Sequence, residues 1–263
     1  MADRSLTDSD VALRAALAGA EVARRRYGAD NRRFEHEGAD FSTEADIEAE
    51  RAIRAVLMDL RPTDAVVGEE LETTGDSSRR WLVDPICGTL NFAAQVPVFA
   101  VNVALDIDGD TTAAAVVDPV AAHVFWADGT SAFGRVGAAT ADRLLAPTPV
   151  SRLVSVNLES EYEGGSGIRL LSDEMLRTRF SPRCFSSTLA LAWVASGQQA
   201  AYITGGDLRG SVHWTAGIAV CRAAGTVVTN LAGGELHTGD HGLIAAADAE
   251  THAFLLERLN ALS

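Results

Sequence analysis

The residues best placed to do chemistry lie in the segment 81–92, where an acid follows a short apolar run. Trp81, Leu82 and Val83 are typical of a buried strand, and the pair Asp84-Pro85 predicts that the strand ends there. Gly88-Thr89 then opens a predicted helix, whose exposed N–H groups and positive dipole end can receive a phosphate. The segment therefore predicts a site that holds a cation and an anion side by side.

The composition limits the classes of protein to consider. The chain has 263 residues, 47% of them hydrophobic, and a net charge of −14 with no lysine among its 22 basic residues. Its length and its mean hydropathy of +0.08 are typical of a globular protein with one large domain or two coupled ones. An acidic chain argues against nucleic acid or an anionic membrane as a general partner, but it leaves room for a local anion pocket.

The cysteines and the apolar segments indicate a compartment. Cys87, Cys184 and Cys221 are odd in number and far apart, so they predict no disulfide framework. The first residues lack the apolar region of a signal peptide, and no apolar run approaches the roughly 20 residues that span a bilayer. We therefore expect a cytoplasmic protein.

Periodicity and turn residues predict the elements that must position the segment 81–92. A helix ended by Gly28, a loop at 36–42 and a helix capped by Thr43 precede it. The predicted helices are 11–27, 44–60, 168–178, 188–196, 214–224 and 249–262, and the predicted strands are 65–67, 99–106, 112–117, 123–126, 153–156, 200–203, 226–229 and 242–246. A proline-containing stretch near 140–148 is the best domain boundary.

Several motifs in a fixed order carry a family resemblance. The stretch from His36 to Asp46 is similar to Lys-x-x-x-Asp-x-x-Thr-x-x-Asp, Gly68-Glu69-Glu70 matches Gly-Glu-Glu, and the segment from Asp84 to Thr89 matches Asp-Pro-Ile-Asp-Gly-Thr at all but one position. With weaker matches at 129–133, 194–197 and 242–246, nearly the whole chain resembles the inositol monophosphatase family. That family hydrolyses small phosphate esters with Mg²⁺.

The resemblance implies the fold class and the domains. It implies an α/β (α+β) fold of the layered sugar-phosphatase type, with alternating helix and sheet layers. We expect residues 1–140 to form an N-terminal α+β half that carries the metal-binding loops. Residues 141–263 should then form a C-terminal α/β half that closes the cleft.

The resemblance also implies roles for individual residues. Glu69, Asp84 and the carbonyl of Ile86 would hold the first metal ion, because Mg²⁺ prefers about six hard oxygen ligands. Thr89 would orient the attacking water, and Asp46 is a second candidate catalytic residue. Asp46 could equally favour only the N-terminus of its own helix.

Two positions depart from the family pattern. The second acid of Asp-Pro-Ile-Asp is Cys87, and counting back from Arg222 places the family's late metal-binding Asp at Val212, or at Thr215 if a gap is allowed. The family's hydroxyl-binding Glu falls at Gly205. A thiol is a soft ligand that Mg²⁺ disfavours, and Val binds no metal. We therefore expect at most one Mg²⁺ and no second metal.

The same departures suggest other roles for the site. Cys87 is either an inert buried residue or, with a thiol pKa lowered by the helix N-terminus, one half of a nucleophilic or acid–base pair with His213. Gly88, Thr89, Val212 and Trp214 are the candidate substrate-binding residues, with Trp214 as an apolar wall.

Three functions remain open. The first is a Mg²⁺-dependent phosphomonoesterase acting on a sugar, cyclitol or nucleotide phosphate. The second is a divergent enzyme that uses the family cleft for small-metabolite chemistry other than efficient phosphate-ester hydrolysis, such as cyclisation, elimination or isomerisation. The third is a catalytically silent binding partner, and the sequence favours the second function. The expected partner is a small molecule, with no nucleic acid or membrane, and homodimerisation is left open.

Overall fold

The computed structural model describes residues 6–36, 41–135, 141–159, 165–239 and 241–262. Within these ranges the helices are α1 (Asp8–Arg26), α2 (Glu44–Leu60), α3 (Thr89–Ala93), α4 (Ser166–Ser172), α5 (Glu174–Arg179), α6 (Leu189–Ala195), α7 (Thr215–Ala224) and α8 (Ala249–Leu262). The strands are β1 (Arg33–Glu35), β2 (Phe41–Thr43), β3 (Ala65–Gly68), β4 (Arg79–Cys87), β5 (Ala100–Ile107), β6 (Asp110–Asp118), β7 (His123–Ala127), β8 (Ala132–Arg135), β9 (Arg143–Leu144), β10 (Leu153–Val156), β11 (Ser181–Cys184), β12 (Ala201–Thr204), β13 (Val227–Thr229) and β14 (Leu243–Ala246). The predicted mixed α/β class is confirmed.

The chain divides into two compact units that are not continuous in sequence. The first contains Met1–Arg143, Ser187–Leu189 and Gly210–Ala219, and the second contains the remaining segments. The first unit therefore includes two short stretches from the part of the sequence that we expected to form the C-terminal half. No helix in the described part of the chain is long and apolar enough to cross a membrane.

A seven-stranded sheet and two long helices are the main elements of the first unit. The strand order is β3-β4-β5-β6-β7-β8-β9, with β3 parallel to β4 and the strands from β4 to β8 antiparallel to their neighbours. Helices α1 and α2 pack against each other, and α1 covers β5 and β6. Their apolar faces and the inner face of the sheet share one buried core.

Both helices begin with the same local motif. Thr7 caps α1 and Thr43 caps α2; each side chain accepts a hydrogen bond from a backbone N–H of the first turn, while Asp10 or Asp46 accepts one from the N–H of the capping residue. Such capping boxes satisfy N–H groups that the helix itself leaves unpaired. The predicted start of α2 after Thr43 is confirmed, and the motif fixes the position of Asp46.

Strand β4 does not end at Asp84-Pro85, so that prediction is wrong. The strand continues to Cys87 through a register shift: Asp84 pairs with Asn102 and Cys87 with Ala100, which places three steps of β4 against two of β5. Pro85 has no N–H to give the ladder, and a bulge accommodates it. Because residues three apart normally point to opposite faces, the extra residue lets Asp84 and Cys87 share one face.

The helix predicted after Gly88 is α3, with only five residues. Gly88 precedes it at a φ of 109°, and a Cβ there would lie 3.0 Å from the carbonyl oxygen of Val98. Glycine is thus required both for its conformation and for its close approach to the backbone of Val98.

The predicted loop at 36–42 is only partly a loop. Phe41 and Ser42 belong to β2, which pairs with β1 in an antiparallel ribbon, and residues 37–40 lie outside the described residues. His36 Nε2 lies 3.1 Å from Ser42 Oγ.

The second unit contains a five-stranded mixed sheet of order β11-β10-β12-β14-β13, with α8 against β14 and α4 against α8. The predicted helix 168–178 is divided into α4 and α5 at Asp173, whose carboxylate accepts from Leu176 N and so starts a new helix. Strand β11 was not predicted, and its Pro182 is tolerated because the strand lies at the sheet edge.

Candidate metal-binding and hydrolytic site

The first feature of the site is a pair of carboxyl groups with a histidine between them. Strand register places Gly68 beside Val83, the residues that directly precede Glu69 and Asp84. His213 Nδ1 lies 2.9 Å from Asp84 Oδ2 and 3.8 Å from Glu69 Oε1. Asp84 is fully buried. Burial and the neighbouring charge of Asp84 raise the pKa of the Glu69 carboxyl well above its ordinary value.

A buried ion pair holds the turn that carries Glu69. Arg54 Nε donates to Glu50 Oε1 at 2.7 Å, and the other carboxylate oxygen accepts from the N–H of Glu70 at 2.7 Å. A Cβ on Gly68 would lie 1.8 Å from Glu50 Oε1, so only glycine allows this approach. The sequence analysis missed Glu50 and Arg54, although their spacing of four on α2 is typical of an ion pair along a helix.

The second feature is a network around the Thr89 hydroxyl. Thr89 Oγ1 lies 3.3 Å from Asp46 Oδ1 and 3.2 Å from the carbonyl oxygen of Ile86. Both neighbours are acceptors, so Thr89 donates its one proton to one of them, and its oxygen keeps lone pairs for a further donor such as water. Burial raises the pKa of Asp46 to about 6. The structure thus brings together Asp46, Ile86 and Thr89.

Cys87 does not have the environment that we expected. Its Sγ lies 3.0 Å from Thr188 Oγ1, and Thr188 donates its own proton to the carbonyl of His213. Cys87 must therefore be the donor, as a neutral thiol. Full burial, followed by the charge of Asp84, raises the pKa of this thiol well above its ordinary value. The predicted lowering of its pKa is wrong, because burial outweighs the N-terminus of a five-residue helix.

The residue that the segment 210–219 brings to Asp84 is His213. The counting argument placed Val212 or Thr215 at this point; instead, Val212 is partly buried and Thr215 Oγ1 donates to the carbonyl of Ser211 at 2.7 Å. Thr188 and Asn102 both donate to the His213 carbonyl and so fix this segment. The expectation that Val212 or Thr215 meets Asp84 here is therefore corrected.

Two buried oxygens in this site have no hydrogen bond. They are Asp84 Oδ1 and Asn102 Oδ1, and no partner for either is found among the described residues. Asp84 and Asn102 face each other across β4 and β5, and both are fully buried. A buried acceptor without a donor costs free energy, so the site is suited to a cation or another electron-pair acceptor.

The candidate substrate-binding residues lie in the same unit. Gly88 precedes α3 and is partly exposed, whereas Trp214 is nearly buried just before α7. Their roles toward a substrate stay predictions.

The magnesium pair implied by the resemblance does not fit these donors. Mg²⁺ takes about six oxygens in near-octahedral geometry. Around Asp84, however, two positions offer the sulfur of Cys87 and the imidazole nitrogen of His213. Sulfur is a soft donor that Mg²⁺ disfavours. The single Mg²⁺ expected at Glu69, Asp84 and the Ile86 carbonyl stays a prediction.

Comparison with known proteins gives the chain its relatives. The inositol monophosphatase family model matches residues 5–263. An inositol-1-monophosphatase of Caulobacter vibrioides is 32% identical over 239 residues, which cover 85% of this chain and 88% of that protein. A histidinol-phosphatase of Mycobacterium tuberculosis is 34% identical, covering 97% of this chain and all of the relative.

A solved structure shows the same fold. The crystal structure of the extragenic suppressor protein SuhB from Bartonella henselae superposes with a TM-score of 0.82 at 28% identity, covering 95% of this chain and 97% of that one. The motifs, the fold and the extent of these matches agree. This chain therefore belongs to the inositol monophosphatase family.

Proposed function

We propose that this chain hydrolyses a small phosphate monoester. The observation that supports this most is the network of Thr89, Asp46 and the Ile86 carbonyl, because the family resemblance assigns Thr89 to orienting the attacking water. The names of the relatives, an inositol-1-monophosphatase and a histidinol-phosphatase, agree with a phosphatase reaction.

The proposed roles follow from the hydrogen bonds. With its proton given to the Asp46 carboxylate, the Thr89 oxygen accepts a hydrogen bond from the attacking water and orients it. The pKa of about 6 at Asp46 leaves most of this carboxyl ionised at neutral pH and able to accept that proton. Glu69 and Asp84 would hold the cation whose charge offsets that of the reacting phosphate.

The inositol monophosphatase family generally uses Mg²⁺ as its catalytic metal ion. Because the donors around Asp84 do not fit a magnesium pair, the proposed hydrolysis does not depend on one. What the chain's own residues contribute is a positioned water and a buried acidic site for a cation.

The proposed substrate is a phosphate ester other than a cyclitol phosphate. Gly205 stands where the inositol-cleaving members carry the Glu that contacts the substrate's hydroxyl groups. A glycine offers no side chain to bind vicinal hydroxyls, so discrimination for them should be lost.

A second candidate function is supported by the His213–Asp84 pair. A histidine that is hydrogen-bonded to a buried carboxylate is a workable general acid or base, and Cys87 lies nearby. This pair could catalyse an elimination or isomerisation without hydrolysis, the function that the sequence favoured. We place it second because the sequence argument counted Val212 as the residue that replaces the late acid, whereas His213 lies there and keeps the site polar.

The test is phosphate release from a panel of small phosphate monoesters, with Mg²⁺, Mn²⁺, Co²⁺ or Zn²⁺ supplied separately. We expect turnover of at least one ester and a loss of about 100-fold in Thr89→Val, in the range that positioned acid–base groups contribute. Thr112→Val is the matched control in the same unit, because the Thr112 hydroxyl has no partner among the described residues.

The proposal of hydrolysis is wrong if no ester releases phosphate with any of these metals. Conversion of another metabolite that persists in EDTA would then favour the second candidate. A silent binding partner, homodimerisation and a cytoplasmic location stay predictions from the sequence.

A further inference from the structure

Cys87, which departs from the family pattern, and His213 meet beside Asp84. Ligand atoms of Asp84, Cys87 and His213 all lie within 4.8 Å of one another. Cys87 and His213 therefore border the same buried carboxylate, although 126 positions separate them in the sequence.

The donor atoms of Cys87 and His213 favour a different class of metal ion from Mg²⁺. Where the family resemblance implies a carboxylate this chain has the sulfur of Cys87, and the segment expected to supply the late Asp brings the Nδ1 of His213 to Asp84. Thiolate and imidazole are donors for Zn²⁺ and similar ions, and hard Mg²⁺ prefers oxygen.

The three ligand atoms would have to move only slightly to form a tetrahedral zinc site. Bonds of 2.0–2.3 Å in a tetrahedral zinc site place ligand atoms about 3.5 Å apart. In this structure the ligand atoms of Asp84, Cys87 and His213 lie at most 4.8 Å apart, and His213 Nδ1 lies 2.9 Å from Asp84 Oδ2. The His213 side chain is 43% exposed and has room to move.

The second, independent observation is the hydrogen bonding of Asp84. Asp84 Oδ1 is fully buried and has no partner among the described residues, while its other oxygen contacts His213. A bound cation would satisfy this oxygen.

We propose that Asp84, Cys87 and His213 bind one transition-metal ion of the Zn²⁺ class. On binding, the Cys87 proton leaves to solvent, the sulfur bonds to the metal as a thiolate, and His213 binds through Nδ1. Three protein ligands leave a fourth position open, as in catalytic zinc sites. The inference rests on the proposed function for the role of the ion, but binding can be measured without turnover.

The experiment uses Co²⁺ as a coloured substitute for Zn²⁺ on the full chain. A cobalt–thiolate bond gives a charge-transfer absorption band, which reports on sulfur ligation directly. We expect one equivalent of Co²⁺ to produce this band and one equivalent of Zn²⁺ to abolish it, with a 100-fold excess of Mg²⁺ having no effect. Cys87→Ser should remove the band, and His213→Ala should weaken Zn²⁺ binding at least tenfold.

Cys184→Ser is the matched control, because Cys184 is an exposed free cysteine of the other unit. Circular dichroism of each variant checks that it is folded, and Cys87→Ala is the second variant should Cys87→Ser unfold. A band that survives in both folded Cys87 variants, the absence of any band in the unsubstituted chain, or displacement of Co²⁺ by equimolar Mg²⁺ would overturn the proposal.

The same preparation separates this inference from the proposed function. A Cys87-dependent band without phosphate release from any ester would leave the metal site standing and remove the hydrolysis. Phosphate release that requires Mg²⁺ and is unchanged in Cys87→Ser would do the reverse.

Discussion

Two sides of one site differ in how far they keep the family pattern. On the hydrolytic side, Asp46, Thr89 and the Ile86 carbonyl form a hydrogen-bonded network with the expected residue types. On the proposed metal side, Asp84 keeps its place and meets Cys87 and His213. Under the proposed function, the ligands of the cation differ from those of the family while the residues that position a water stay the same.

The two sides also differ in what holds them. The capping box of α2 and the short helix α3 fix Asp46 and Thr89 through local backbone geometry. The metal side depends on long-range contacts, since Asn102 and Thr188 must hold the His213 carbonyl. We expect the metal side to respond to changes in distant segments, and the hydrolytic side to respond mainly to its own residues.

The largest effect should come from Asp84→Asn, which damages both sides at once. The carboxylate contacts His213 and lies beside Glu69, so its loss removes a metal ligand and the charge that attracts the cation. We expect phosphate release to fall about 1,000-fold, near 4 kcal/mol in activation free energy, and Zn²⁺ affinity to fall at least 100-fold.

Asp118→Asn is the control for that variant, because Asp118 is also buried but caps a turn at the end of β6. Equal losses in the two variants, measured by steady-state phosphate release and calorimetric titration, would mean that Asp84 has only a structural role.

A smaller effect is expected from Asp46→Asn, which addresses the hydrolytic side alone. Asp46 accepts from both Thr43 and Thr89, whereas Asp10 is the equivalent of Asp46 in the exposed capping box of α1. We expect turnover to fall 10- to 100-fold in Asp46→Asn with Zn²⁺ affinity within about twofold, because proton acceptors contribute in this range.

Asp10→Asn should leave turnover unchanged and cost at most about 1 kcal/mol of unfolding free energy, measured by urea denaturation. If Asp46→Asn behaved in the same way, the alternative weighed from the sequence, a purely helix-favouring role for Asp46, would be correct.

The smallest effect is expected from Thr188→Val, which loosens the metal side without removing a ligand. Its hydroxyl accepts from the Cys87 thiol and donates to the His213 carbonyl. We expect Zn²⁺ affinity to fall about threefold to tenfold, and unfolding free energy to fall by about 1–2 kcal/mol.

Thr226→Val provides the comparison, since the buried Thr226 hydroxyl also donates to a backbone carbonyl, that of Cys221, but in the other unit. Its stability loss should be similar and its Zn²⁺ affinity unchanged. Equal affinities in the two variants would show that Thr188 does not position the ligands.

The sequence predicted the parts of the site that local patterns encode. Thr43 and Asp46 follow from a helix-capping pattern, and the Gly-Glu-Glu and Asp-Pro-Ile motifs indicated that Glu69 and Asp84 belong together. Most of the helices and strands also followed from periodicity and turn residues, and the fold class followed from the family resemblance.

The remaining parts depend on packing that no local pattern reveals. The contact between His213 and Asp84 joins residues 129 positions apart, and counting along the sequence selected Val212 or Thr215 instead. The burial of Cys87, which reverses the expected direction of its pKa, depends on Thr188 and on the bulge at Pro85. Glu50 and Arg54 could have been found from their helical spacing, but not their contact with Gly68.

The most direct test of the central claim is to place carboxylates at positions 87 and 213 and to measure the affinities for Mg²⁺ and Zn²⁺. The claim is that Cys87 and His213 changed the metal class and left the hydrolytic side intact. In a folded Cys87→Asp/His213→Asp variant, calorimetric titration should show Mg²⁺ binding at least 100-fold tighter than in the unsubstituted chain and Zn²⁺ binding weaker. Unchanged Mg²⁺ and Zn²⁺ affinities in that variant would contradict the claim.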